Sequence, residues 1–273
     1  MPNLPVANTI AWDFTAATSP LTSKIGQTET FALSGGATTS TSDGMVCRAA
    51  GARGILNFTN GGNLLSVSYP YTVIAVVRAT TGSGSSVYNR IGSVRQSAGT
   101  ARSWGMYFRP SDGDWGAENG GYAPAIGSAL PNSTWNVLIA EKRANGLTLW
   151  RNGTQIFNNT AQTLTVPTFA TTDYYLVGAR EGTSENPTVD MAIFALVPGT
   201  LDATDRANLG SSIATARTAL GLDAPTSTFS FANTAFSTSA FSVGAFSLES
   251  GDTPPPAPAA GGYRLRRAPR GGQ

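Results

Sequence analysis

Histidine does not occur in this 273-residue chain, and cysteine occurs once, at Cys47. Without histidine, Ser-His-Asp catalysis, Cys-His catalysis and His-ligated metals are excluded. A lone cysteine permits no intrachain disulfide and no cysteine-based zinc site, and free cysteines are usually buried, so an inert interior thiol is expected. Charge is scarce as well: Asp, Glu, Lys and Arg make up 12% of the chain, against about a quarter in ordinary globular proteins. Lysine is nearly missing, two residues against sixteen arginines. No apolar run reaches the roughly 18 residues that a membrane helix needs, so no membrane partner is expected. The start, Met1 to Pro5, lacks the basic segment and apolar core of a signal peptide, which predicts synthesis in the cytoplasm.

The net charge of +2 conceals an asymmetry. Arg264, Arg266, Arg267 and Arg270 stand in a terminal stretch with no acid after Asp252. Setting those four aside leaves 14 basic against 16 acidic residues, so the body carries no nucleic-acid footprint.

Glycine, serine and threonine fill the composition, as they do where many short strands are joined by turns. The clearest strands lie between Trp135 and Phe157. Trp135, Val137 and Ile139 alternate with Asn136, Leu138 and Ala140, the period of a strand with a buried face. Asn145-Gly146 and Asn152-Gly153 follow, each suited to the positive φ of a two-residue hairpin turn. Two hairpins in succession make an antiparallel meander, which must bury its apolar face on a second sheet. Ile10, Trp12 and Phe14 alternate likewise. Residues 71–78 are apolar on both faces and predict a central strand. Residues 111–132 read as a long loop. After Asp202 as cap, Leu209, Ile213, Ala216 and Leu220 form one apolar helical stripe ending at Gly221.

The order of Trp135, an apolar strand, Asn-Gly, a short strand and Asn-Gly resembles the laminin-G-like, or concanavalin A-like, jelly roll. Tyr174–Gly178 and Met191–Val197, followed by a helix opening at Leu201-Asp202, extend the resemblance. It implies an all-β antiparallel jelly-roll sandwich with one short C-terminal helix, over about residues 1–222.

Beyond it, Phe231, Phe236, Phe241 and Phe246 recur every five residues, three of them in Ala-Phe-Ser triplets. That interval matches neither a strand nor a helix, and too few repeats exist for a solenoid. Residues 223–252 are expected to anchor the chain through these rings. Residues 253–273, rich in Pro, Gly and Arg, would add Arg264, Arg266, Arg267 and Arg270 to the assembly anchor. Such ladders after a sandwich resemble the termini of tailed-bacteriophage structural proteins. That resemblance implies a virion location, with other virion proteins or further copies of the chain as partners.

Three site chemistries suggest themselves. Sugars are bound by aromatic faces beside carboxylates and amides, and Asp112, Asp114, Trp115, Glu118, Asn119 and Tyr122 supply these within eleven residues. The alternative is that Trp115 and Tyr122 pin their loop to the sandwich. Calcium binding, implied by the laminin-G-like resemblance, would use Asp112, Asp114 and Glu118; otherwise no cofactor is expected. Glycoside hydrolysis requires paired carboxylates, and the Glu-x-Asp-x-x-Glu strand of enzymes with this jelly roll is missing. Glu141 and Asp190 read as isolated strand-end charges, so the expectation is that the chain is not an enzyme. The leading expectation is a virion structural protein displaying a lectin-like sandwich, and the alternative is a module that binds host surface glycans.

Overall fold

The computed structural model describes residues 4–5, 7–26, 30–57, 70–80, 89–95, 104–109, 114–119, 122–126, 130–131, 133–160, 174–178 and 189–223. The chain divides into two compact units, Met1–Pro225 and Thr226–Gln273; the second lies outside the described residues.

The first unit is an antiparallel sandwich. Among the described residues, one sheet has eight strands. Its middle is β6 (Tyr71–Ala79), flanked by β11 (Trp135–Arg143) and β15 (Val189–Pro198). β12 (Gly146–Arg151) and β13 (Thr154–Asn159) continue it beyond β11. On the other side β15 pairs with β4 (Gly44–Cys47) and β1 (Ile10–Asp13), and β4 pairs with β3 (Thr38–Ser40). The second sheet runs β10 (Tyr122–Ile126), β9 (Asp114–Asn119), β8 (Trp104–Arg109), β7 (Asn89–Arg95), β14 (Tyr174–Gly178), β5 (Arg53–Asn57) and β2 (Ala32–Ser34).

β6 is buried on both sides, as its unbroken apolar run predicts. Val73, Ala75, Val77 and Ala79 enter the core between the sheets, while Ile74 and Val76 enter a second core on the outer face. Trp12, Phe14, Phe31 and Phe194 interlock in the first core, with ring centroids 5.3–6.4 Å apart. The second core is closed by α1 (Ala203–Leu209) and α2 (Ile213–Ala219), which bury Leu209, Ala216, Ala219 and Leu220. The expected stripe does face the sandwich, but on two helices. Gly210 ends the first at φ 62°, and a Cβ there would meet the Thr215 hydroxyl at 2.6 Å. Ser212 then opens the second with a reciprocal capping box to Thr215.

The meander is present, but its two Asn-Gly pairs do different work. Asn152 (φ 50°) and Gly153 (φ 77°) form the expected left-handed pair between Arg151 and Thr154. The first turn instead centres on Ala144-Asn145, since Arg143 is in register with Gly146, and neither central residue has positive φ. Gly146 is a strand residue that meets its neighbour closely: a Cβ there would lie 2.7 Å from the Asn159 carbonyl oxygen. Asn152 is also a tie. Its Oδ1 accepts from Val137 N–H at 2.8 Å and its Nδ2 donates to Asn136 at 3.1 Å.

The loop expected over 111–132 is in part a hairpin, β9 and β10, with Tyr122 in register with Asn119. Only Trp115 and Ala117 alternate in β9, too short a pattern to stand out. β10 contains Pro124, but it is the sheet edge and its register shifts between Tyr122 and Ala125, where proline is tolerated. β3 likewise lies inside a stretch, 34–44, that reads as loop.

Asn152→Ala should lower unfolding stability in denaturant melts by about 2 kcal/mol, through left-handed backbone and lost ties. Asn145→Ala, with the same sequence motif, should change it by less than about 0.5 kcal/mol.

Candidate functional site

Among the described residues, the buried acids Asp13, Glu141 and Asp190 all lie on strands of the larger sheet. Asp190 on β15 stands in register with Arg78 on β6 and is fully buried. Arg48 Nε donates to its Oδ1 at 2.9 Å and Arg78 Nη2 to its Oδ2 at 2.6 Å. Arg78 also reaches Asp43 and lies over the Trp135 ring, 4.7 Å from the centroid. The hydrogen bond from Arg78 holds the Asp43 carboxyl below the usual carboxylate range. Hydrogen bonding to Asp190 keeps Arg48 firmly protonated. Two cations meet two anions, so the cluster is neutral.

Two further clamps tie the helices down. Glu141, fully buried on β11, accepts from Arg206 of α1 at 2.7 Å and from Arg143 at 2.9 Å. The Arg206 guanidinium stacks 4.1 Å above the Trp150 ring. Asp13 on β1 accepts from Arg217 of α2 at 2.9 Å and from the Thr15 hydroxyl at 2.6 Å. Glu141 and Asp190 are therefore interior ion-pair partners, and the expectation of isolated strand-end charges is corrected. These clusters staple the fold. The arginines Arg206, Arg48 and Arg217 lie 65 to 204 residues from the acids Glu141, Asp190 and Asp13 that they join, a distance at which sequence carries no signal of pairing.

The proposed sugar-binding residues fall on the edge hairpin of the other sheet. Asp114 is in register with Arg109 on β8, Glu118 with Gly105, and Asn119 with Tyr122. Asp112 lies outside the described residues. Trp115 does not present a face to solvent. It is fully buried between the sheets with Phe108, Met106 and Ala117, so it anchors the hairpin and offers no stacking platform. The alternation of β9 dictates this, since Trp115 and Ala117 share the side that must meet the core. Along that extended strand, Asp114 and Glu118 are about 14 Å apart at Cα, four residues at roughly 3.4 Å each. The described residues gather no group of three or more Cys, Asp or Glu able to hold a metal ion.

Phe231, Phe236, Phe241, Phe246, Arg264, Arg266, Arg267 and Arg270 all lie outside the described residues. Cys47 is fully buried, and burial, reinforced by the Asp190 charge, pushes its thiol up to about 12. It is inert at neutral pH.

The fold is an antiparallel sandwich of the jelly-roll kind. No protein-family model matches the chain, and no curated protein matches its sequence. Solved structures do match. A Trypanosoma rangeli sialidase complexed with 2,3-difluoro-KDN superposes with a TM-score of 0.58 at 11% identity, covering 76% of this chain and 33% of the sialidase. The same enzyme with sialic acid gives 0.56 at 12% identity, over 76% and 33%. The botulinum neurotoxin serotype D binding domain gives 0.53 at 14% identity, over 71% and 49%. The chain thus spans a third of the sialidase chains and about half of the toxin chain.

The expectation that the chain is not an enzyme is overturned here, because its sandwich is shared with sialidases, which are enzymes. At this identity the likeness shows the fold alone, and it transfers no catalytic residue.

Asp190→Asn should cost about 3 kcal/mol in unfolding stability, since it leaves two arginines facing a neutral amide in the interior. Arg48→Ala, whose side chain is 47% exposed, should cost less than about 1 kcal/mol. Chemical denaturation of the two variants side by side tests the ranking.

Proposed function

We propose that the chain is a carbohydrate-recognition module carried on a virus particle, its sandwich recognising host surface glycans and its segment 223–273 tethering it to virion partners or to further copies of itself. The observation that carries the sugar-binding part is the β9–β10 hairpin. Its register sets Asn119 opposite Tyr122 with Glu118 next in line. An amide, a phenol and a carboxylate at neighbouring positions form the polar set that binds sugar hydroxyls. Trp115 supports it from beneath by fixing the hairpin to the core.

Space elsewhere favours the same place. Among the described residues, α1 and α2 pack on the centre of the outer face of the larger sheet, at β6, β11 and β15. The interior between the sheets is packed with aromatic and aliphatic side chains. The neighbours complexed with sialic acid and its difluoro relative are sugar-handling proteins by their own description, which suits a glycan reading. The virion part is supported by the Ala-Phe-Ser pentads and the four-arginine end. Each phenylalanine buried on a partner would contribute at ~25 cal/mol per Å², and the arginines suit acidic partner surface.

On a glycan array the full chain should bind a defined set of glycans, and Tyr122→Ala should weaken that binding at least tenfold without changing the melting temperature. A blank array refutes the sugar reading. Deleting 224–273 should leave a folded sandwich that no longer joins particles; full incorporation of the truncated chain refutes the tether.

A further inference from the structure

Two charged side chains flank β4 on the outer face of the larger sheet, held in place yet open to solvent. Arg48 is 47% exposed and Asp43 34% exposed, and no hydrogen bond or ion pair joins one to the other. We infer that they form a second sugar contact, which takes two adjacent hydroxyls of a neutral saccharide. For its class of ligand this inference rests on the carbohydrate reading above.

Each is fixed by the ion pair that lies between them. Asp190, fully buried, takes Arg48 side-on: Nε donates to Oδ1 at 2.9 Å and Nη2 donates to Oδ2. The Nη1 end of that guanidinium keeps two N–H groups for another acceptor. Arg78 Nη2 donates to Asp190 Oδ2 at 2.6 Å and to Asp43 Oδ1 at 2.5 Å. Asp43 Oδ2 accepts from the hydroxyls of Ser42 at 3.0 Å and Ser40 at 3.3 Å, and the Asp43 N–H donates to Ser40 Oγ at 2.9 Å. These bonds pin the turn between β3 and β4. A carboxylate has about four acceptor positions, so Asp43 keeps capacity for one more donor.

The Arg48 guanidinium and the Asp43 carboxylate are therefore roughly 5–7 Å apart, by the lengths of the hydrogen bonds between them. Val46, partly exposed and in register with Asp190, lies between them on the same face. A donor on one side of an apolar residue and an acceptor on the other complement a vicinal diol. One hydroxyl accepts from Arg48, its neighbour donates to Asp43, and the ring C–H groups rest on Val46. Both bonds are charge-assisted, roughly twice as strong as neutral ones. Other groups fit less well. A sugar carboxylate gains at Arg48 and loses at Asp43, and an ammonium does the reverse. A trans amide points its N–H and C=O in opposite directions and cannot serve both side chains.

Stability alone does not account for so ordered an arginine. Asp190 already meets Arg78, and a half-exposed arm on an ion pair adds little to folding. What its immobilisation changes is binding, because a side chain already held in one arrangement loses no further freedom when a ligand arrives.

The test titrates mannotriose, maltotriose and chitotriose into the nitrogen-15-labelled full chain and follows its NMR signals. At least one trisaccharide should give saturable shifts at the Ser42, Asp43 and Val46 amides and at the Arg48 Nε–H. Arg48→Ala and Asp43→Asn should each weaken that binding about tenfold or more, whereas Tyr122→Ala should leave it unchanged. The per-O-methylated trisaccharides, which have no hydroxyl to donate, should shift none of these signals. Shifts confined to Glu118, Asn119 and Tyr122 overturn the inference and leave the hairpin reading intact, and so do shifts at Asp43 that survive both Arg48→Ala and Asp43→Asn. No shift anywhere also overturns it, and together with a blank glycan array removes the carbohydrate reading as well.

Discussion

A sheet covered on both faces is the constraint from which the rest of this structure follows. β6, between β11 and β15, sends alternate residues into two separate cores. Neither face of that sheet centre can tolerate an unpaired charge, because desolvation would outweigh any gain. Three carboxylates are nevertheless buried there, and each is held by arginine. The pairs fix the helices and the strand ends in one arrangement. They are weak evidence for net stability, since an apolar replacement of equal shape often does as well. Their contribution is to make one register and one helix position better than the alternatives.

The same constraint sorts the aromatic residues. Trp12, Phe14, Phe31, Phe194 and Trp115 are interior, whereas Trp135 and Trp150 are partly buried and lie beneath arginines. A tryptophan beside acids and amides in sequence looks like a sugar platform. Its position in the strand alternation makes it a structural post. The hairpin it supports still sets Glu118, Asn119 and Tyr122 together. The recognition chemistry proposed here therefore uses polar groups at the hairpin end, without tryptophan stacking. The likeness to sialidase and toxin structures is a likeness of scaffold, and one scaffold carries many activities.

Strands with long, strictly alternating or uniformly apolar runs are legible in the chain itself. β6, β11, β12, β13 and β15 appear where period and turn residues put them, because local sterics and burial agree there. Short edge elements are not legible. β10 contains a proline and β9 only two alternating apolar residues, and both become strands because a neighbouring strand supplies their hydrogen bonds. The break at Gly210 was masked for a related reason: the apolar stripe continues across it, and only the contact with Thr215 shows that the backbone turns.

The amino-acid sequence by itself determined the all-β class, the buried central strand, the left-handed turn at Asn152-Gly153 and the exclusion of histidine and disulfide chemistry. Each of these depends on residue type or on spacing within a few positions. Tertiary structure alone decided that Glu141 and Asp190 are interior and that Trp115 faces the core. Those outcomes depend on which distant strand becomes the neighbour. That choice is made by packing the whole sandwich at once, and no local pattern of residues encodes it.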